Sequence, residues 1–249
     1  MKLDATYKIC LSGLLLALVI IFTRFLSIQN IPFIPFVRIS LGPSLIIFSS
    51  IFLGPIYGAI IGGASDILGI LLVPNSLGFS INPWFTLVYT ILGIVPYFVY
   101  KLFKKIKNDK LLFILFSSIL LCLWVFVLIF TLTNNVISSH ELVLYEKLII
   151  IIGSFVLLLL IDLFILLLKK KQKDASSFMK ASFTSLIIEI SILLLLNSFM
   201  KSIFFEIDFY IIFLFQSIVL FINVPLDAFV VTYLLRLTNK IFVKENKAK

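Results

Sequence analysis

Histidine and cysteine are nearly missing from this chain. One histidine, His140, and two cysteines, Cys10 and Cys122, are all that its 249 residues contain. A metal centre needs several such ligands at helix or hairpin spacing, and a disulfide framework needs paired cysteines outside the core. Both cysteines lie in apolar runs and His140 reads as a solvated loop histidine, so neither a metal nor a cofactor is expected. Charged residues make up only 13% of the chain, and the twelve carboxylates are scattered. Acid–base chemistry needs such groups convergent, and the motifs GxxxxGK[ST], HExxH and GxSxG do not occur. The sequence therefore predicts neither an enzyme nor a chain that hydrolyses ATP itself. Glycine and proline are scarce beyond residue 100, where only Gly153 and Pro225 occur.

What is abundant is hydrocarbon. Residues of apolar type make up 61% of the sequence. Apolar runs fall at about 8–28, 42–53, 56–73, 84–103, 111–133, 146–168, 183–204 and 209–237. Several reach the roughly 20 residues that span a bilayer, which predicts an all-α, polytopic integral membrane protein. The start, MKLDATYK, shows no signal-peptide cleavage pattern, so the first run is expected to stay as a membrane helix. Leu41 to Val73 is 33 residues, and one straight helix of that length would measure about 50 Å. Gly54-Pro55 sits in its middle, and proline suits a helix start better than a helix interior, so the run splits in two.

Charge supports eight spans with both termini cytoplasmic. That arrangement puts seventeen of the 21 basic residues on the inner side, leaving Arg24, Arg38, Lys147 and Lys201 outside it. The net charge of +9 is thus a topology signal and not a nucleic-acid footprint. Residues 111–168 read as a lipid-facing hairpin, rich in Leu, Ile, Phe and Val, with Asp162 as its polar exception.

Eight of ten glycines lie between Gly42 and Gly93, and seven of eight prolines between Pro32 and Pro96. Irregular backbone at membrane depth survives where it is buried in protein or lines a cavity, so the site belongs in this first part. Gly54, Gly58 and Gly62 recur every four residues, Asp66 continues the stripe, and Gly69 follows. Such a stripe predicts backbone-to-backbone packing, with Asp66 turned into the bundle and away from lipid. Helix 1 carries another small pair, Gly13 and Ala17, whose spacing alone reads as ordinary packing.

The outward loops combine aromatics, amides and arginine. After helix 1 come Phe33, Phe36 and Arg38; after helix 3 come Asn75, Phe79, Asn82, Trp84, Phe85 and Thr86. Each aromatic alone fits an interfacial belt. Together they suit a flat heteroaromatic ring bearing a carboxylate, with Phe79, Trp84 and Phe85 stacking on it. Asn75 or Asn82 would bond the ring edge, and Arg38 or Arg24 would take the acid. Arg24 has snorkelling to the interface as its other reading.

The segments LLLALVIIFTRFLSI, VRISLGPSLIIFSSIFLGPIYGAIIGGASDILGILLVP and INPWFTLVYTILG occur in this order. Over about residues 10–105 the chain resembles the substrate-binding (S) component of energy-coupling factor vitamin transporters, and within them the folate branch. The resemblance implies a six-helix bundle in the bacterial plasma membrane, with a vitamin site opening outward. It implies assembly with a membrane-embedded coupling (T) subunit and two cytoplasmic ATPase subunits. It also implies that Gly13 and Ala17 dock on the coupling subunit. Six helices against eight makes 111–168 an inserted hairpin, with 183–204 and 209–237 as the last two of the core. No basic residue opens the last helix as the folate branch would have it; Gln216 lies in that neighbourhood. The resulting expectation is a subunit that captures a folate-like vitamin. The alternatives are an S component for thiamin, its pyrimidine precursor or a queuine-like base, or a membrane enzyme or structural membrane partner.

Overall fold

A computed structural model describes residues 4–28, 38–73, 82–106, 108–134, 136–137, 140–141, 143–171 and 175–248, without the side chains at 136–141, 168–171, 175, 239 and 241–248. The expected helical membrane architecture is what is found. Helix α1 spans Ala5–Ile20 and widens into a π-helical turn, Ile21–Phe25. It is followed by α2 (Gly42–Leu53), α3 (Pro55–Leu72), α4 (Pro83–Lys104), α5 (Asp109–Thr133) and α6 (Leu144–Lys171). Helix α7 (Ala175–Ile188) runs through a π-helical stretch, Glu189–Leu196, into α8 (Asn197–Phe205), and α9 is Phe209–Ala248. Among the described residues, seven helical segments are long and apolar enough to cross a membrane, and α2 is a shorter apolar helix. A small antiparallel ladder, Val136–Ile137 with His140–Glu141, lies between α5 and α6.

The break between α2 and α3 falls at Gly54, as the Gly-Pro pair predicts. Its backbone takes φ 106° and ψ 168°, a region essentially restricted to glycine, and Pro55 then starts α3. A Cβ added at Gly54 would meet nothing, so this glycine serves the turn and not, as expected, the packing stripe. The stripe begins one helical turn later.

Contacts divide the chain into two compact units. The first comprises Met1–Ser27, Ser40–Ile106 and Leu226–Lys249. Its centre is the α3–α4 seam. A Cβ on Gly58 would run into the Gly93 carbonyl, and one on Gly62 into the Tyr89 carbonyl. A Cβ on Gly63 would stand 2.7 Å from Thr90 Oγ1. The two backbones therefore touch directly, and each glycine's helix cost of about 1 kcal/mol is offset by that approach. Pro96 lies inside α4, and the Tyr97 N–H beside it donates to Ser50 Oγ on α2 at 3.2 Å. A neighbouring hydroxyl thus satisfies backbone polarity that lipid cannot. Helix α2 is buried from Gly42 to Ser50, and its Ser44 hydroxyl donates to the buried Asp227 carboxylate.

The second unit comprises Ile28–Ile39 and Lys107–Pro225. Helices α5 and α6 form an antiparallel pair joined inside by Ser117 Oγ donating to Asp162 Oδ1 at 2.9 Å. Trp124 Nε1 also donates to the Ile151 carbonyl at 3.3 Å, with its ring against Phe155. Asp162 is thus a partnered intramembrane carboxylate. In each of these helices 22% of the most apolar window is buried, against 50% for the α7–α8 span and 56% for α9. Ile28 and Ile39 exchange both backbone hydrogen bonds, and Ile39 packs on a cluster of Val127, Leu214, Phe215 and Val219.

Two glycines therefore bear on stability for different reasons. Gly54→Val, through strain, and Gly62→Val, through a clash with α4, are each expected to destabilise the chain by about 1–3 kcal/mol. Gly13→Val, with open space around it, is expected to leave stability near wild type. Thermal unfolding in detergent measures all three, and equal effects would contradict this assignment.

Candidate functional site

An aspartate in the middle of an apolar helix must be compensated from within the protein. Asp66 is 7% exposed, and three elements converge on it. From the π-helical end of α1, Arg24 places Nη2 3.5 Å from Asp66 Oδ1 and 3.4 Å from the Asp66 backbone carbonyl. From α4, Thr86 Oγ1 donates to Asp66 Oδ2 at 2.9 Å. Gly69 completes the arrangement, because a Cβ there would stand 2.6 Å from Arg24 Nε. The residues after Gly62 are thus explained by one ion pair: Asp66 supplies the charge and Gly69 the room for its partner.

This corrects the snorkelling reading of Arg24, whose side chain is only 5% exposed. Its charge is matched inside the protein by a carboxylate 42 residues away. The single hydroxyl proton of Thr86 is likewise directed at Asp66. Of the residues expected to touch a ligand, Arg24 and Thr86 are therefore drawn into the tie that joins α1, α3 and α4.

The start of α4 carries the other expected contacts. Asn82 is its N-cap, with Oδ1 accepting from the Trp84 N–H at 3.0 Å, and Pro83 fills the first helical position. Capping uses the amide oxygen and leaves the amide N–H groups for other partners. Trp84 is half-exposed and Phe85 partly buried. Asn75 and Phe79 lie outside the described residues, as do Phe33 and Phe36.

Arg38 sits beside the Ile28–Ile39 bridge, so its backbone is fixed at the base of the first loop. Within the same unit Lys201 lies on α8, where the Gln216 amide, oriented to satisfy both its ends, accepts from its ammonium at 2.8 Å. Lys201 entered the sequence reading only as a basic residue off the inner side. The signal that could have found it was a lysine in an otherwise apolar helix end, fifteen residues before the buried Gln216.

Helix α1 presents an open face. Gly13 and Ala17 are exposed, and so is Leu14 between them. The spacing favoured packing inside the bundle; instead a Cβ on Gly13 would meet nothing within 4 Å. Both cysteines are free and exposed, and no group of three metal-ligating side chains occurs among the described residues.

Comparison with known proteins adds two findings. A family model described as ECF-type riboflavin transporter, S component, matches residues 3–171, a stretch that runs from α1 through α6. The chain is also 37% identical over 98 residues to the folate transporter FolT of Clostridium novyi (strain NT). That alignment covers 39% of this chain and 52% of the relative, so the chain spans about half the length of the curated relative it matches. No solved structure matches. With its apolar helices and the family match over well more than half its length, this multi-pass bacterial membrane protein belongs to the ECF-type riboflavin transporter S component family.

Proposed function

We propose that this chain is the substrate-binding subunit of an energy-coupling importer and captures a folate-like vitamin from outside the cell. The observation that carries the substrate class is the 37% identity to a folate transporter. Ring stacking is assigned to Trp84 and Phe85, with Phe79 and Asn75 kept from the sequence reading and Asn82 contributing through its amide N–H groups. The acid is assigned to Arg38. Arg24 is set aside for that role because Asp66 already matches its charge.

The chain carries no motif for nucleotide hydrolysis, so uptake needs partners: a membrane-embedded coupling subunit and two ATPases. The docking surface is assigned to Gly13 and Ala17, on support from their exposure. Small side chains let a second helix approach closely in lipid. Lysine-rich segments place both termini in the cytoplasm in this reading. In this reading residues 111–168 remain a hairpin inserted in a six-helix core. The family match includes that hairpin.

A second reading has its own support. The family description names riboflavin, another flat heteroaromatic ring. Tryptophan fluorescence of the purified chain, titrated with folates, riboflavin, thiamin and a queuine-like base, separates the two. Quenching by folates that disappears in Trp84→Ala, while Trp124 still emits, is the expected result. Quenching by riboflavin alone moves the substrate to a flavin, and chemical turnover of any of these compounds would sink the binding-subunit reading.

For the docking face, Gly13→Leu/Ala17→Leu is expected to abolish co-purification with the coupling subunit while leaving vitamin binding intact. Unchanged assembly would return the pair to a lipid-facing surface.

A further inference from the structure

Helices α1, α3 and α4 share one end of the first unit. Lys8 lies against Tyr57 and Arg24 against Asp66, so α1 and α3 run parallel. Gly58 packs on Gly93 and Gly62 on Tyr89, so α4 runs antiparallel to α3. The start of α1, the start of α3 and the end of α4 are therefore neighbours. Two cations at that end are seated on aromatic faces. Lys8 Nζ stands 5.6 Å from the centroid of the Tyr57 ring, and Lys101 Nζ stands 5.8 Å from that of Tyr97. Tyr57 directly precedes Gly58, and Tyr97 is one turn beyond Gly93, so both tyrosines stand at the same end of the α3–α4 seam. Lys104 and Lys105 add exposed charge at the end of α4, and Asp4, just before α1, is the nearest carboxylate in sequence. Among the described residues no ion pair joins any of these four lysines to a carboxylate. A tyrosine face attracts an ammonium without cancelling its charge as a carboxylate would, so the field beyond the ring stays positive.

Exposed hydrocarbon adjoins each seat. Ile56 beside Tyr57 is 73% exposed and Leu102 beside Lys101 is 61% exposed. Positive charge next to exposed apolar surface matches the two parts of a phospholipid, an anionic headgroup and its chains. A soluble acidic protein would meet the charge alone. We propose that the Lys8–Tyr57 and Lys101–Tyr97 pairs form a binding site for the phosphate headgroup of an anionic phospholipid, with Lys104 and Lys105 strengthening its field. In the topology proposed above this end faces the cytoplasm, and the lipid belongs to the inner leaflet. The site uses none of the residues assigned to the vitamin or to the coupling subunit.

The test is native mass spectrometry of the detergent-released full chain, titrated with phosphatidylglycerol or with phosphatidylcholine of the same acyl chains. One lysine beside an anionic headgroup is worth about fivefold in affinity, so wild type is expected to prefer phosphatidylglycerol by about twentyfold or more. Lys8→Gln/Lys101→Gln is expected to remove most of that preference and to leave phosphatidylcholine binding unchanged. Lys110→Gln/Lys180→Gln removes the same charge from the second unit and is expected to keep the preference. If the first double variant does not fold, Lys101→Gln alone, at an exposed position, is expected to lose about fivefold for phosphatidylglycerol. Equal losses in the two double variants would assign the preference to net charge and overturn the site. A wild type that does not distinguish the two lipids would also overturn it, and loss of co-purification with the coupling subunit in Lys8→Gln/Lys101→Gln would then give this surface to protein.

Discussion

A single carboxylate in hydrocarbon constrains the front of this protein. Asp66 needs a cation and a hydroxyl, and those come from α1 and α4. For either to reach it, the backbones must lie close, which is what Gly58, Gly62 and Gly93 permit on one side and Gly69 on the other. The glycine stripe and the aspartate are therefore one device. Breaking a buried ion pair by removing one partner leaves an uncompensated charge, which is far more damaging than never having had the pair. The three helices are bound together by that asymmetry.

The same logic sorts the cations. Arg24 is compensated within the protein and has a structural part to play. Lys201 on α8 is held by the Gln216 amide, and Arg38 sits beside the Ile28–Ile39 bridge. Both π-helical turns stand beside these groups: Ile21–Phe25 carries Arg24, and Glu189–Leu196 supplies the carbonyl that Gln216 engages.

Much of the fold could be read from hydropathy and punctuation. Gly54-Pro55 announced the break between α2 and α3, because proline cannot continue a helix at that point and glycine alone takes the turn. Helix α7 starts eight residues before the apolar run at 183, since the serines and lysine of ASSFMKASF dilute a segment whose Phe178 and Met179 are fully buried. Helix α9 runs on to Ala248, past the apolar limit at 237, through Lys, Glu and Ala that favour helix without hydrophobicity. The site was less legible. The sequence marked Arg24, Arg38, Asp66 and Thr86 as noteworthy but had no means to pair the first with the third, 42 residues on. The π-helical turns leave no trace in composition, so the meeting of Lys201, Ser198 and Gln216 could not be anticipated.

What unites these features is a chain that holds charge in place; in the proposed function it binds its ligand and leaves it unaltered. Native mass spectrometry of the detergent-released protein incubated with folic acid addresses that directly. The account predicts a one-to-one adduct, formed without nucleotide, from which the ligand is recovered at its original mass. No adduct, or a ligand released at an altered mass, would contradict it.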